Sequence, residues 1–393
     1  MHPTPTDHTL PHVAIFIETS RAYGRDLLHG VRRYIAENGP WSVYMELRSL
    51  DSRFPAWLKN WSGDGILSRT PSQAMAERIH GSVAPVVELR ASRLRQDAPF
   101  VGVDNAALGR LVAVHLMECG FRNFGIYGIA TEDYFAQRCG NFVDTVAAAG
   151  YDCSVFEPPK AQERPADWEG HQKALADWVR SLPKPVGVMA CTDQLGFWLL
   201  DACHRGRVAV PEEVAVVGVE NDDSLCSMAN PPLSSVRFNG PRIGYEAAAL
   251  LARLMEGEAP PAEPILVPPM GVVRRRSSDI VAIDSPDVAE ALRFIRENAC
   301  RGITVEDVLE AVAISRSSLE RQMKTLLGRP PKAEIRRIQF NRVKQLLKET
   351  DLPLAQIAWR AGFKHPQYLS ESFKREFGVT PGEWRGEGGR REA

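Results

Sequence analysis

Seven polar side chains in the first 280 residues could together bind a polyol such as a sugar. A carboxylate accepts hydrogen bonds from two hydroxyl groups at once, an arginine donates to ring and hydroxyl oxygens, and a tyrosine offers an apolar ring face. The candidate ligand-binding residues are Tyr23, Arg25, Asp104, Arg138, Asp193, Glu220 and Asn221. For each carboxylate the alternative is a structural role, as a helix N-cap or as a surface charge.

Nine polar side chains near the C-terminus have the chemistry that reads double-stranded DNA. Arginine bonds guanine through two atoms, glutamine bonds adenine, glutamate accepts from cytosine, and lysine suits the phosphates. The candidate DNA-contacting residues are Arg316, Ser317, Glu320, Arg321, Lys324, Gln367, Ser370, Glu371 and Lys374. They lie on segments 315–327 and 366–377, whose apolar residues recur at helical spacing and leave the polar residues on the other face. The alternative is an ordinary helical bundle with solvated charges.

The elements that must position these candidate DNA-contacting residues form two helical units of the same design. In each unit a short helix, 305–312 or 354–361, leads through a tight turn into one of the two polar helices. Gly362 supplies the sharp turn of the second unit. In a helix-turn-helix unit the second helix enters the major groove of DNA. Two such units, joined by a long helix over 334–348, predict an all-α domain that docks both onto one duplex.

The elements that must position the first set alternate between strand and helix. Short Val- and Ile-rich runs, apolar on both faces as in a buried parallel sheet, alternate with amphipathic helical segments. The predicted strands cover 13–17, 65–67, 86–89, 100–103, 124–127, 187–190 and 214–219, and the predicted helices cover 26–38, 108–119, 137–149, 172–181 and 241–255. This order predicts a doubly wound α/β architecture in two lobes. Ligands of such sheets bind beyond the carboxyl ends of strands, and Asp104, Asp193 and Glu220 follow the strands predicted over 100–103, 187–190 and 214–219.

Charge divides the chain into two parts. Residues 286–393 hold 20 basic and 15 acidic side chains, whereas residues 1–285 hold 28 basic and 34 acidic ones. A basic rear part behind an acidic front part suggests that the rear part meets a polyanion. The predicted organisation is an N-terminal tail over 1–11, an α/β domain over 12–282, an all-α domain over 283–385 and a flexible tail over 386–393.

Composition excludes several other classes of protein. No apolar run approaches the roughly 20 residues that span a bilayer, and residues 1–11 lack the pattern of a secretory signal. The seven cysteines include no Cys-x-x-Cys pair, which predicts free thiols in a reducing cytoplasm and no metal site. An enzyme using Asp193 with His171 or His204 is an alternative without a spacing signature. A solute-binding protein for transport would have no use for residues 286–385.

The rear part resembles the DNA-binding domain of AraC-type regulators. The resemblance is carried by Leu354-Ala355-Gln356-Ile357-Ala358, Ala361-Gly362-Phe363, Phe377-Gly378-Val379-Thr380-Pro381 and Trp384-Arg385. Trp384 stands where tyrosine is usual, which keeps a large apolar ring. The resemblance implies that the base-contacting positions fall on the exposed faces of segments 315–327 and 366–377.

The front part resembles the sugar-sensing core of LacI/GalR-type repressors, which is itself similar to periplasmic binding proteins. The resemblance is carried by Val101-Gly102-Val103-Asp104-Asn105, Ala190-Cys191-Thr192-Asp193 and Val210-Pro211-Glu212-Glu213-Val214. Glu220 stands where aspartate is usual in that family. In LacI-type proteins the DNA-binding unit is N-terminal, whereas here the DNA-binding motifs follow the core.

The order of the two parts resembles the family of bacterial xylose operon regulators. Ala313-Ile314-Ser315-Arg316-Ser317 and Arg275-Arg276-Ser277 carry this likeness. It implies a cytoplasmic, nucleoid-associated homodimer that binds operator DNA and, as an activator, works with RNA polymerase. It also implies D-xylose or a related sugar as effector, with no cofactor and no metal. A repressor, or a sensor of another sugar or of a sugar phosphate, would have the same architecture, so these alternatives stay open.

Overall fold

Strands and helices alternate over residues 12–273, and the described elements from residue 286 onward are helices. The computed structural model describes residues 10–47, 61–69, 73–80, 84–90, 98–129, 133–156, 167–279 and 285–388. Internal contacts divide the chain into two units, Met1–Ile280 and Val281–Ala393. The predicted boundary after residue 282 and the predicted tail up to residue 9 lie outside the described residues.

The first sheet of the first unit is parallel and has the order β2-β1-β3-β4. A bridge between Glu88 and Phe100 links it to the parallel pair β5-β11. The strands are β1 (His12–Phe16), β2 (Ser42–Met45), β3 (Gly65–Ser68), β4 (Val86–Glu88), β5 (Val101–Val103) and β11 (Ile265–Val267). β1 and β3 are buried almost throughout, which explains their continuous apolar sequence.

The second sheet has the order β12-β10-β9-β8-β6-β7, and its pairs are parallel except that of β10 with β12. Its strands are β6 (Asn123–Tyr127), β7 (Cys153–Phe156), β8 (Val186–Ala190), β9 (Val214–Glu220), β10 (Ser234–Arg237) and β12 (Gly271–Val273). β8 and β9 lie at the centre and form the core of this lobe together with the helices around them.

Eight helices among the described residues connect the strands of the first unit. They are α1 (Ala22–Asn38), α2 (Gln73–His80), α3 (Asn105–Glu118), α4 (Asp133–Ala148), α5 (Trp168–Ser181), α6 (Asp193–Arg205), α7 (Asp223–Met228) and α8 (Gly240–Met255). Side-chain caps define several starts, as where Thr192 accepts from the backbone N–H of Leu195 at the start of α6. No helix among the described residues is long and apolar enough to cross a membrane.

The described part of the second unit consists of helices, and an apolar core joins the later ones. They are α9 (Pro286–Asn298), a short 3-10 turn (Ala299–Arg301), α10 (Val305–Ala311), α11 (Arg316–Leu327), α12 (Pro331–Glu349), α13 (Leu354–Arg360), α14 (Pro366–Phe377) and α15 (Pro381–Gly388). Phe340 and Val343 of α12 pack with Leu369 and Phe373 of α14 in this core. The start of the predicted tail, 386–388, is helical and belongs to α15, whereas residues 389–393 lie outside the described residues.

Candidate ligand cleft and nucleic-acid surface

A cleft in the first unit collects side chains that follow the carboxyl ends of strands from both sheets. It opens to solvent, and the space between its lining atoms, counted out to the mouth, is about 490 Å³. The lining residues are Arg21, Tyr23, Arg69, Leu89, Arg90, Phe100, Val103, Asn105, Tyr134, Arg138, Glu220 and Phe238. Four arginines and one carboxylate alternate here with aromatic rings, so the cleft offers both hydrogen-bonding groups and apolar faces.

Arg138 of α4 is a buried cation of the cleft, with 4% of its surface exposed. Its Nε donates to Asn105 Oδ1 at 2.8 Å, and its Nη1 donates to the carbonyl oxygen of Cys191 at 2.6 Å. The guanidinium carbon lies 4.8 Å from the ring centroid of Tyr134 and 5.4 Å from that of Phe238. Because these contacts fix the plane of the guanidinium, its other N–H groups can donate in one direction to an oxygen in the cleft.

Tyr23 forms an apolar side of the cleft together with Phe238 and Arg69. The two rings meet edge to face with centroids 5.2 Å apart, and the Arg69 guanidinium lies 5.0 Å from the Tyr23 ring centroid. Arg69 also forms an ion pair with the buried Glu18. Burial raises the pKa of the Tyr23 phenol, so the ring is neutral and can pack against a sugar face while its hydroxyl hydrogen-bonds.

Glu220 brings the carboxylate of the cleft to the end of β9. Its backbone φ is 111°, and the φ of the following Asn221 is 54°. Two consecutive non-glycine residues in this region of the φ/ψ map carry backbone strain, which is concentrated at functional sites in proteins. The strained corner ends the strand and turns the Glu220 side chain to the cleft lining.

Asp193 lies completely buried at the start of α6, behind the cleft lining. Its carboxyl oxygens accept from the backbone N–H of Asp222 at 2.7 Å and from the hydroxyl of Ser235. Burial, together with the nearby negative charge of Glu220, raises the pKa of Asp193 to about 8. Asp193 therefore holds the loop after Glu220 in place, and its own oxygens are already engaged by protein donors.

Three other predicted ligand residues are also placed away from the cleft lining. Asp104 is the N-cap of α3, because its Oδ1 accepts from the backbone N–H of Ala107 at 2.8 Å. Arg25 is exposed on α1 and donates to the carbonyl oxygen of Thr19 at 2.9 Å. Asn221 accepts from Arg275 at 2.8 Å through its Oδ1. Asp104 thus takes the N-cap role that the sequence had left open.

The structure accordingly brings Tyr23, Arg138 and Glu220 together and places the other four predicted residues around them. Among the lining residues that the sequence analysis missed, Arg69 and Arg90 come directly after or near the ends of β3 and β4. The rule that ligands bind beyond strand ends could have found both, since those strands were predicted. Phe238 follows β10, a strand that was not predicted, and Tyr134 has no sequence signal.

The second unit presents the predicted DNA-contacting residues on two helices with matching inner faces. Leu319 and Met323 of α11 are buried, as are Leu369 and Phe373 of α14. On the outer faces every predicted residue is exposed except Ser370, which is half-buried; the exposed ones are Arg316, Ser317, Glu320, Arg321, Lys324, Gln367, Glu371 and Lys374. Arg316 forms an ion pair with Glu306 of α10, which ties together α10 and α11, the two helices of the first helix-turn-helix.

Gly362 makes the turn between α13 and α14 in the left-handed region, with φ 78°. A Cβ atom there would lie 2.6 Å from the carbonyl oxygen of Ala299 and 2.8 Å from the backbone nitrogen of Gly302. Gln339 of α12 donates to the carbonyl oxygens of Ala299 and Gly362 at 3.0 and 3.2 Å. The predicted turn role of this glycine is confirmed, and its close packing explains why no side chain fits.

Arg336 connects the long helix α12 to the start of α14. Its guanidinium carbon lies 4.9 Å from the ring centroid of Phe363 and 5.1 Å from that of Tyr368, and its Nη2 donates to the Tyr368 hydroxyl at 2.7 Å. Because Tyr368 is the third residue of α14, this contact fixes the N-terminal turn of that helix relative to α12.

Comparison with protein-family models supports both halves of this description. Residues 113–278 match the periplasmic binding protein-like domain, and residues 308–387 match a helix-turn-helix domain. The chain is 32% identical to the xylose operon regulatory protein of Escherichia coli strain K12 over 381 residues, which are 95% of this chain and 96% of that protein. The chain belongs to the xylose operon regulatory protein family. A relative of the same name in Haemophilus influenzae is 31% identical over 384 residues, covering 95% and 97%.

Solved structures agree with this family assignment. The structure of a xylose-binding transcription activator matches with a TM-score of 0.81 at 30% identity. The match covers 96% of the present chain and 98% of that activator's chain. A LacI family regulator from Mycobacterium smegmatis matches with a TM-score of 0.56 at 20% identity over 69% of this chain, which shows the shared fold. The predicted architecture and the prediction of a transcription regulator rather than an enzyme are confirmed by these relatives.

Proposed function

We propose that this chain is a transcription activator that binds D-xylose in its cleft and operator DNA through α11 and α14. The observation that carries the sugar site is Arg138, which is buried and held in plane on the same cleft lining as Glu220. A pentose has hydroxyl groups around its rim and apolar C–H faces. The lining supplies polar groups for the rim and the rings of Tyr23, Tyr134 and Phe238 for the faces.

Within this proposal the predicted residues take different roles. Arg138 donates to sugar oxygens, Glu220 accepts from sugar hydroxyls, and Tyr23 packs on a ring face. Asp193 and Asn221 hold the strained corner after β9 from behind, through the Asp222 backbone and through Arg275. Asp104 caps α3, and Arg25 is not needed for binding.

The DNA site proposed here consists of the exposed faces of α11 and α14. Arg316, Arg321 and Gln367 have the donors for base edges, and Lys324 and Lys374 suit phosphates. We propose that a homodimer binds two copies of the operator half-site and recruits RNA polymerase at the nucleoid. Sugar binding shifts the population toward the DNA-binding form, by no more than its differential affinity for the two forms.

Calorimetric titration tests the sugar assignment. D-xylose should bind with one site per chain, and D-ribose, L-arabinose and D-glucose should bind at least tenfold more weakly, because a few contacts decide between similar sugars. A gel-retardation assay on DNA from upstream of the gene for this chain should show tighter binding with D-xylose than without it. Binding of all four sugars with equal affinity, or retardation that ignores sugar, contradicts the proposal.

One observation favours a second candidate effector, a sugar phosphate. Arg21, Arg69, Arg90 and Arg138 all line the cleft, against one carboxylate, Glu220, among the described lining residues. Arginines are the usual partners of phosphate groups. D-xylose 5-phosphate in the same titration separates the two candidates: if it binds more tightly than D-xylose, the effector is the phosphate ester.

A further inference from the structure

Two cysteine thiols lie in contact beside the cleft. The Sγ atoms of Cys139 on α4 and Cys191 after β8 are 3.4 Å apart, although the two residues are 52 positions apart in the chain. Cys191 is completely buried, whereas Cys139 is half-buried and so reachable by a small molecule. Both are free thiols in the structure.

Gly128 leaves the space that the two sulfur atoms occupy. A Cβ atom on this residue would lie 2.7 Å from Cys139 Sγ and 3.1 Å from Cys191 Sγ. A disulfide needs its sulfur atoms about 2.05 Å apart. The pair therefore has to close by about 1.4 Å when the bond forms.

The surroundings make the two thiols chemically different. A hydrogen bond from the Cys191 thiol and the positive charge of Arg138 lower the pKa of Cys139. The same hydrogen bond and complete burial raise the pKa of Cys191. Cys139 is thus suited to be the attacking thiolate and Cys191 the thiol that follows it, as in redox-sensing pairs.

We propose that Cys139 and Cys191 form a reversible disulfide site that is oxidised by a peroxide. The Cys139 thiolate attacks hydrogen peroxide, so that a sulfenic acid forms and hydroxide leaves. The Cys191 thiol then attacks the sulfenic sulfur, the S–S bond forms, and water leaves. In total two thiols and one hydrogen peroxide give one disulfide and two waters, and a dithiol reductant reverses the step.

The position of the pair connects it to the ligand cleft. Arg138 is the chain neighbour of Cys139, and it donates to the carbonyl oxygen of Cys191 at 2.6 Å. Bringing the two sulfur atoms together therefore moves both the backbone of Arg138 and the carbonyl oxygen to which its side chain donates. We therefore expect the disulfide form to bind sugar about tenfold more weakly, the loss of roughly one charge-assisted hydrogen bond. This consequence rests on the proposed sugar site, whereas the disulfide itself does not.

Mass spectrometry of the full chain tests the modification. One equivalent of hydrogen peroxide should lower the mass by about 2 Da and yield a peptide pair linked through residues 139 and 191, and dithiothreitol should restore the mass. Cys139→Ser should abolish the link. Cys153→Ser is the matched control, because Cys153 is also half-buried but burial raises its pKa to about 12. A link from Cys139 to Cys153, or sulfinic acid without any link, overturns the proposal.

A second measurement separates this site from the sugar assignment. D-xylose is titrated into the reduced chain, the peroxide-treated chain and the peroxide-treated Cys139→Ser chain. Weaker binding in the oxidised chain alone supports the connection through Arg138, and equal binding in all three overturns that connection while the disulfide stands. If D-xylose binds none of them, the sugar proposal fails, and the mass experiment still decides the disulfide.

Discussion

Arg138 is the single residue on which the proposed sugar site depends most. Arg138→Lys keeps the charge but loses the planar fork that Asn105, Cys191 and the two rings hold in place. We expect D-xylose affinity to fall by roughly 10- to 100-fold, about 1.4–2.8 kcal/mol. Calorimetric titration measures this loss. Arg25→Lys is the control, because Arg25 is exposed and lies outside the cleft lining, and an equal loss in the control would contradict the assignment.

Asp193 makes the stability of the first unit depend on pH. Its folded pKa of about 8 lies above the ordinary value of 3.8, so between these values the folded state holds a proton that the unfolded state has lost. Its contribution is therefore fully present below about pH 4, falls as pH rises, and is lost above about pH 8.

Asp193→Asn should remove this dependence, because an amide has no proton to lose. Between pH 5.5 and 8 the wild-type chain should lose a few kcal/mol more in free energy of unfolding than the variant. Urea unfolding at both pH values, followed by tryptophan fluorescence, gives the two differences. Parallel pH profiles for the two chains would mean that Asp193 is ionised in the folded state at neutral pH.

Arg321 and Lys324 on the exposed face of α11 should affect DNA binding in different ways. Arg321→Ala should weaken specific binding by about 1–3 kcal/mol and relax the base preference at one operator position. Lys324→Ala should weaken binding to all sequences similarly and lower the salt slope by about one. Retardation with a set of single-base operator variants at several salt concentrations distinguishes the two. An unchanged base preference in the Arg321 variant would remove this residue from the readout set.

At the scale of elements, two glycines can be compared: Gly362 in the turn of the second helix-turn-helix and Gly328 after the last helix of the first one. Gly362 and Gly328 have φ of 78° and 71°, but a Cβ atom at Gly328 would meet nothing within 4 Å. Gly328→Ala should cost about 1–2 kcal/mol of stability from backbone strain alone. Gly362→Ala should cost more, because the Ala299 and Gly302 backbones must also move. Thermal unfolding followed by circular dichroism measures both, and equal costs would show that the contact at Gly362 relaxes freely.

At the scale of the whole molecule, sugar and DNA binding should be linked reciprocally. If D-xylose tightens operator binding by some factor, operator DNA must tighten D-xylose binding by the same factor. Typical coupling of 1–3 kcal/mol predicts a factor of about 5–150. Titrations of DNA with and without sugar, and of sugar with and without DNA, give both factors. A factor of one in both directions would leave two independent binding functions on one chain.

The sequence by itself determined the order of the parts and the faces of the helices. Val- and Ile-rich runs predicted β1, β3, β8 and β9, because strands buried on both faces must be apolar throughout. The spacing of Leu319 and Met323 predicted the inner face of α11 for the same reason of burial. The search for apolar runs did not predict β10, because its buried residues Ser234 and Ser235 are polar.

Only the tertiary structure decided which polar residues face the cleft. Buried Ser234 is satisfied by Ser277 and by the Arg275 carbonyl oxygen, partners about 40 residues away that no local pattern reveals. Asp104 and Glu220 both stand at strand ends, yet one carboxylate caps a helix and the other lines the cleft. Local sequence determines where a chain turns, but the direction of a side chain after the turn is set by long-range packing and hydrogen bonding.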